Sequence, residues 1–222
     1  MEIKVVQDVK TIDADILVVN LFEGEKTVSE LANKYAIEQD GFKGKFGETY
    51  LLPTYGQEVY RKVLVLGLGK KEDFTPNKMR EAIYKAIKKC MQMEAKTVAF
   101  SLEGIEFDYS EQFTMGALIA DYAFDKYKSE KKDNKVREVY VQANEGIVRE
   151  AEKIAAAMTF ARNLANEPAQ LATPSELANI ACDFGLETKI YNREECEKMG
   201  MGAFLAVAKG SAQEPKFIHM KY

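Results

Sequence analysis

Metal and proton-transfer chemistry needs side chains that converge, and this sequence is sparing with them. His219 is the only histidine in 222 residues. It has no second histidine and no nearby cysteine to complete a metal site or a triad, and no GxSxG elbow supplies a nucleophile for it. Asp13 with Asp15, Glu194 with Glu195, and Asp108 can be drawn as carboxylate sites, but none has a spacing that demands a metal. Gly67-Leu-Gly69 follows an apolar run, and a glycine turn of that kind can bring backbone N–H groups to a phosphate. Glu72 stands where the third glycine of GxGxxG would fall, and Lys70 and Lys71 lack Walker spacing. A tight strand-to-helix connection is the plainer expectation. Around 126–135, Lys126, Lys128, Lys131, Lys132 and Lys135 are broken by Glu130 and Asp133, which reads as a solvated loop. Cys90, Cys182 and Cys196 form no CxxC pair, so neither a zinc knuckle nor a disulfide framework is expected. The remaining group is Asn163, Asn166 and Glu167, polar residues at the end of a helical pattern just before Pro168 and Pro174.

The elements that must position these residues alternate between strand and helix. Residues 3–6 open a first strand. The run DILVVN (15–20) is apolar throughout its middle, as a strand buried on both faces requires. Residues 27–39 read as a short helix. Residues 48–53 and 61–66 read as two strands joined by a turn near Gly56 and paired antiparallel. Thr75 caps the next helix, with Pro76 at its first position and Met79, Ala82, Ile83, Ala86, Ile87 and Cys90 as its apolar face. A strand at 96–100 follows. Next comes a helix capped by Ser110 with the face Phe113, Ala117, Ala120, Phe124 and Tyr127, and then a strand at 136–141. A long helix is expected over 145–165, where Ile147, Ala151, Ile154, Met158, Ala161 and Ala165 recur at spacings of four and three. Thr173, Pro174 and Glu176 mark a capping box, Gly185 ends that helix, and 187–191, 193–199 and 216–220 read as strand, helix and strand. Gly200 and Gly202 read as turn glycines.

The composition is 46% hydrophobic and 30% charged, with a formal net charge of −4 and a pI near 5.4. These values fit a globular chain and argue against a nucleic-acid binder driven by bulk charge. No apolar run reaches membrane-span length, and the amino-terminal residues lack a signal-peptide pattern. A cytoplasmic protein with reduced thiols is expected.

One ordered set of motifs is more specific than any single residue. ARNLANEPAQLATP (161–174) is followed by a capped helix, then MGMGAFLAVAKGS (199–211), then an apolar strand. This order resembles the entry into the catalytic domain of the leucyl aminopeptidases, the two-metal cytosol aminopeptidases. VLVLGLGKK (63–71) resembles that family's amino-terminal domain. The resemblance implies an α/β fold with a macro-domain-like mixed sheet flanked by helices over 1–144. It further implies a connecting helix over 145–168 and an incomplete beginning of the catalytic α/β domain over 169–222. It implies release of amino-terminal residues, leucine preferred, by a homo-oligomer using two divalent ions, zinc or manganese. The family's metal ligands begin with a GKG…FDSGG stretch that this sequence does not contain. Lys209 sits in the earlier Ala-Lys-Gly-Ser motif and is not the lysine of that stretch. The expectation is therefore a chain that stops before the chemistry, with no catalytic, cofactor-binding or metal residue of its own. It is expected to self-associate through the apolar residues after Pro168. A macro-like module for ADP-ribose or a similar phosphorylated ligand, and an accessory DNA-binding domain, are the alternatives.

Overall fold

The computed structural model describes residues 1–25, 41–130 and 136–222, which divide into two compact units, Met1–Phe160 and Ala161–Tyr222. The helix expected over 27–39 lies outside the described residues.

The first unit is built on β1 (Glu2–Val5), β2 (Ile16–Phe22), β3 (Thr49–Pro53), β4 (Lys62–Gly69), β5 (Thr97–Ser101) and β6 (Glu138–Val141). Among the described residues they form one sheet in the order β1-β6-β5-β2-β4-β3, with all neighbours parallel except the antiparallel pair β3 and β4. Every residue of β2 is buried. Its side chains alternate between two cores, as the two-residue period of a strand requires. Ile16, Val18 and Phe22 join the larger core, whereas Leu17, Val19 and Leu21 join the smaller one on the opposite face.

Helices α1 (Pro76–Gln92) and α2 (Ser110–Asp121) cover the larger core. Thr75 accepts from the Lys78 amide at 3.3 Å, and the expected face of α1 is buried. On α2, Phe113, Ala117 and Ala120 are buried, but the helix stops at Asp121. Phe124 and Tyr127 lie beyond it and pack on each other at 5.9 Å. Gly116 lets the two helices approach, since a Cβ there would stand 2.5 Å from the Arg80 carbonyl oxygen.

Helix α3 (Glu145–Asn166) presents a different stripe from the one its spacing suggested. Val148, Ala151 and Ala155 are buried, the two alanines against Met115, Leu118 and Ile119 of α2, while Ile147, Ile154 and Met158 are exposed. The two stripes share Ala151 and differ by about one residue of rotation. The small alanine side chains allow the closer helix approach.

The second unit holds α4 (Pro174–Asp183), β7 (Glu187–Tyr191), α5 (Arg193–Lys198), α6 (Gly202–Ala208) and β8 (Phe217–Lys221). β7 and β8 pair antiparallel as a two-stranded sheet. Thr173 caps α4 through the Glu176 amide at 3.3 Å, and Gly185 follows it at φ 71°. Gly200 is a turn glycine at φ 70°, but Gly202 begins α6.

Candidate functional site

The glycine pair is neither a phosphate loop nor a strand-to-helix turn, because Gly67 and Gly69 are the last rungs of β4 itself. A Cβ at Gly67 would lie 2.2 Å from the Lys45 carbonyl oxygen, so glycine is needed to let the 44–48 segment cross the strand. Their amides are committed to that segment. Gly67 N–H donates to the Glu48 carbonyl at 2.8 Å and Gly69 N–H to the Gly44 carbonyl at 2.9 Å. Neither donor is left for an anion.

The acidic residues are local structural ties. Asp15 Oδ2 accepts from the amides of Lys96 at 2.7 Å and Thr97 at 3.0 Å, and Arg61 stands 3.3 Å from Oδ1. Burial pushes its carboxyl upward, but these hydrogen bonds and the Arg61 charge outweigh it and hold the pKa below the usual carboxylate value. Asp13 is exposed. Asp108 Oδ1 accepts from the Ser110 amide at 2.9 Å and from its hydroxyl. Ser110 Oγ in turn accepts from the Asn144 amide at 2.9 Å, so the hydroxyl expected to cap α2 instead ties its start to the start of α3. Glu195 forms a reciprocal capping box with Asn192 at the head of α5, and Glu194 is exposed beside it.

Lys4, Glu138 and Tyr140 join β1 to β6. Lys4 Nζ lies 2.6 Å from Glu138 Oε1, and Tyr140 donates to Oε2 at 2.5 Å. The Lys4 hydrogen bond is the main reason that the Glu138 pKa is lowered, and the bond to Glu138 raises that of Tyr140.

His219 is exposed on β8 opposite Lys189, and Lys209 is exposed at the end of α6. Asn163 and Asn166 are exposed at the end of α3. A cleft at the carboxyl end of β2 is lined by Glu23, Glu25, Phe42 and Lys43 among others. Glu25 turns back to accept from the Phe22 amide at 3.3 Å. Among the described residues no three His, Cys, Asp or Glu side chains gather as a metal-binding group. A two-metal centre needs several bridging and terminal carboxylates, and none of the carboxylates described above converges with another in that way. Among the described residues, too, no helix is long and apolar enough to cross a membrane.

Sequence reasoning passed over two polar positions. Asn20 is buried in β2, where Nδ2 donates to the Glu103 carbonyl at 3.1 Å and Oδ1 has no protein partner. A lone amide inside an otherwise apolar run, ILVVNLF (16–22), is the signal available for it. The Asn192 cap was legible as Asn-x-x-Glu ahead of α5.

Comparison with known proteins accounts for both units. The amino-terminal domain model of the cytosol aminopeptidase family matches residues 18–131, and the catalytic domain model of the same family matches 159–222. The chain belongs to the cytosol aminopeptidase family. It is 34% identical over 252 aligned positions to a probable cytosol aminopeptidase of Alkaliphilus oremlandii, covering all of this chain and 50% of that protein. A probable cytosol aminopeptidase of Aquifex aeolicus is 35% identical, with 100% of this chain and 48% of the relative covered. A tomato leucine aminopeptidase mutant superposes with a TM-score of 0.81 at 22% identity, over 98% of this chain and 49% of that one. The bottromycin maturation enzyme BotP in complex with Mn gives 0.75 at 25% identity, over 94% and 45%. The chain thus spans about half the length of the curated relatives it matches. The first match covers most of β2, then β3, β4, α1, β5 and α2, and the second covers the end of α3 and α4 through β8.

Proposed function

We propose that this chain serves a metal-dependent leucyl aminopeptidase as its amino-terminal half. The first unit is a scaffold and the second unit is the opening part of the catalytic domain. The observation that carries this reading is the ordered match of both family models to one chain, 18–131 and then 159–222. The enzyme would release amino-terminal residues, leucine preferred, from peptides in the cytoplasm, as a homo-oligomer. Zinc or manganese would polarise the scissile carbonyl and activate water. Because the described residues hold no metal-binding group, the 222-residue chain alone would neither hold two ions nor turn over substrate. Its domains would divide as 1–144, a connecting helix over 145–168, and 169–222.

The ADP-ribose alternative draws no support from Gly67 and Gly69, whose amides are bonded to the 44–48 segment. A leucyl-anilide assay with added manganese or zinc, with elemental analysis of the same sample, tests the reading. No turnover and no stoichiometric metal are expected from this chain. Metal-dependent turnover that co-purifies with it would overturn the assignment of the chemistry to residues outside it.

A further inference from the structure

β4 and β5 flank β2 in the sheet, so a tie between the ends of those two strands passes over the carboxyl end of β2. The segment 102–109, which joins β5 to α2, makes that tie. Lys71, just beyond β4, holds Glu106 at 2.8 Å, and its Nζ lies 5.9 Å from the centre of the Phe22 ring at the end of β2. Lys10, in the crossing from β1 to β2, holds Glu103 at 3.0 Å. Asn20 of β2 supports the segment from below, where its Nδ2 donates to the Glu103 carbonyl at 3.1 Å. Phe22, Phe74 and Tyr109 pack edge to face beside it, with ring centres 5.1 and 5.6 Å apart. Leu102 and Ile105 pack in part against the larger core, while Glu103, Gly104, Glu106 and Phe107 are exposed.

We infer that residues 102–107 form a strap that opens and closes over the carboxyl end of β2 independently of the sheet, with the two ion pairs as its latch and Asn20 as its seat. The inference goes beyond the proposed function and does not depend on it. The latch is weak, because all four charged side chains are at least 40% exposed, and pairs of that kind hold little and are screened by salt. The seat is unfinished. Asn20 is 6% exposed, yet among the described residues its Oδ1 has no hydrogen-bond partner. A buried acceptor left unpaired is costly, and the closed strap carries that cost, which solvent relieves when the strap lifts. The ends of the strap are fixed. Ser101 is buried in β5, and Asp108 is bonded to the Ser110 amide at the start of α2. The place gives the motion a consequence. The chain leaves β2 for β3 and β4 on one side, and leaves β5 for β6 on the other. Open α/β sheets receive ligands at such a switch point. The closed strap covers it, and the open strap uncovers an amide with donor and acceptor both free beside three aromatic rings.

The test is hydrogen exchange on the whole chain, followed by NMR at two strap reporters. One is the Asn20 side-chain amide, and the other is the Ile105 backbone amide, which donates to the Leu102 carbonyl at 3.2 Å. The backbone amides of β2 serve as the internal reference. Both reporters should show protection at least about tenfold lower than the reference, because the strap opens without the sheet. Raising the salt from about 0.05 M to about 1 M should speed both reporters by about threefold or more and leave the reference unmoved. Glu103→Gln combined with Glu106→Gln should give the same acceleration in low salt and remove the salt effect. Both substitutions are on the surface, so the double variant should keep the far-UV spectrum and urea midpoint of the parent. The inference is overturned if the reporters are as protected as β2, which would mean that the segment opens only with the sheet. It is equally overturned if neither salt nor the double variant changes their rates.

Discussion

The two units are made of similar residues but differ in what they enclose. In Met1–Phe160 a mostly parallel sheet is sandwiched between two cores, and large side chains such as Phe100, Phe113, Ile83 and Leu64 are at most 1% exposed. In Ala161–Tyr222 the elements are capped as well as those of the first unit, by Thr173 on α4 and by Asn192 with Glu195 on α5. Caps fix where helices begin, at about 1 kcal/mol each, but the burial of large side chains decides whether a unit holds together. A buried leucine or phenylalanine contributes about 1.5–3 kcal/mol. A 62-residue unit, 161 to 222 inclusive, whose buried residues are Ala178, Ala181, Cys196, Leu205 and Pro215 has little to set against its chain entropy. Local order can therefore be complete where tertiary stability is not.

The largest effect that sharpens this contrast is expected from matched truncations. Phe113→Ala removes a ring packed edge-on against Phe100 at 5.1 Å and should lower the main urea transition by about 3–5 kcal/mol. Leu205→Ala, in the second unit, should leave that transition within about 0.5 kcal/mol, because its surroundings open before the first unit does. Equal shifts would break the division into a stable and an unstable unit.

Gly116→Ala comes next. Helix propensity favours alanine by about 1 kcal/mol, but the new Cβ would sit 2.5 Å from the Arg80 carbonyl oxygen and 3.1 Å from Ile83 Cβ. The overlap should win, for a net loss of about 1–3 kcal/mol in the same urea titration.

Asp15→Ala should cost about 1–3 kcal/mol at neutral pH, since it orphans the Lys96 and Thr97 amides. The folded pKa of Asp15 lies below its unfolded value. The carboxylate's contribution is therefore complete above the unfolded pKa, near 4, and is lost as pH falls through the folded value. Urea midpoints of wild type and Asp15→Ala should thus converge on acidification.

The smallest expected effect is local. Thr173→Ala should loosen α4 by about 1 kcal/mol, read as faster amide exchange over 174–183 with no change in the main transition.

Elements set by local signals could be read in the sequence. The run 15–20 announced β2, Thr75 with Pro76 announced α1, and the ordered motifs from 161 to 211 announced the family. Features that depend on what lies across space were not legible. Gly67 is required by the 44–48 segment lying on it, a contact between positions some twenty residues apart. The stripe of α3 was misread because two overlapping apolar stripes fit the same helix, and the packing of α2 chose the one rich in alanine. Ser110 looked like a cap because its hydroxyl suits one, yet Asp108 and Asn144 claim it. The candidate carboxylates failed as chemistry for one physical reason. Each is satisfied by nearby backbone amides or left in water, and none converges with another.

The contrast between the units is tested most directly by two cysteines that the chain already carries. Cys90 lies in α1 of the first unit and Cys196 in α5 of the second, and both are fully buried. Burial pushes the Cys90 thiol up to about 12, so labelling there requires opening of the fold. Cys182 is exposed and serves as the internal control for reagent. The rate of thiol labelling at each position, followed by mass spectrometry in native buffer with a small alkylating reagent, gives the opening free energy of each unit. Cys182 should react at once. Cys196 should react at least about a hundredfold faster than Cys90, a gap of about 2.7 kcal/mol, and only the Cys90 rate should follow the main urea transition. Equal protection of Cys196 and Cys90 would mean that both units open together, and would contradict the claim that the second lacks a core of its own.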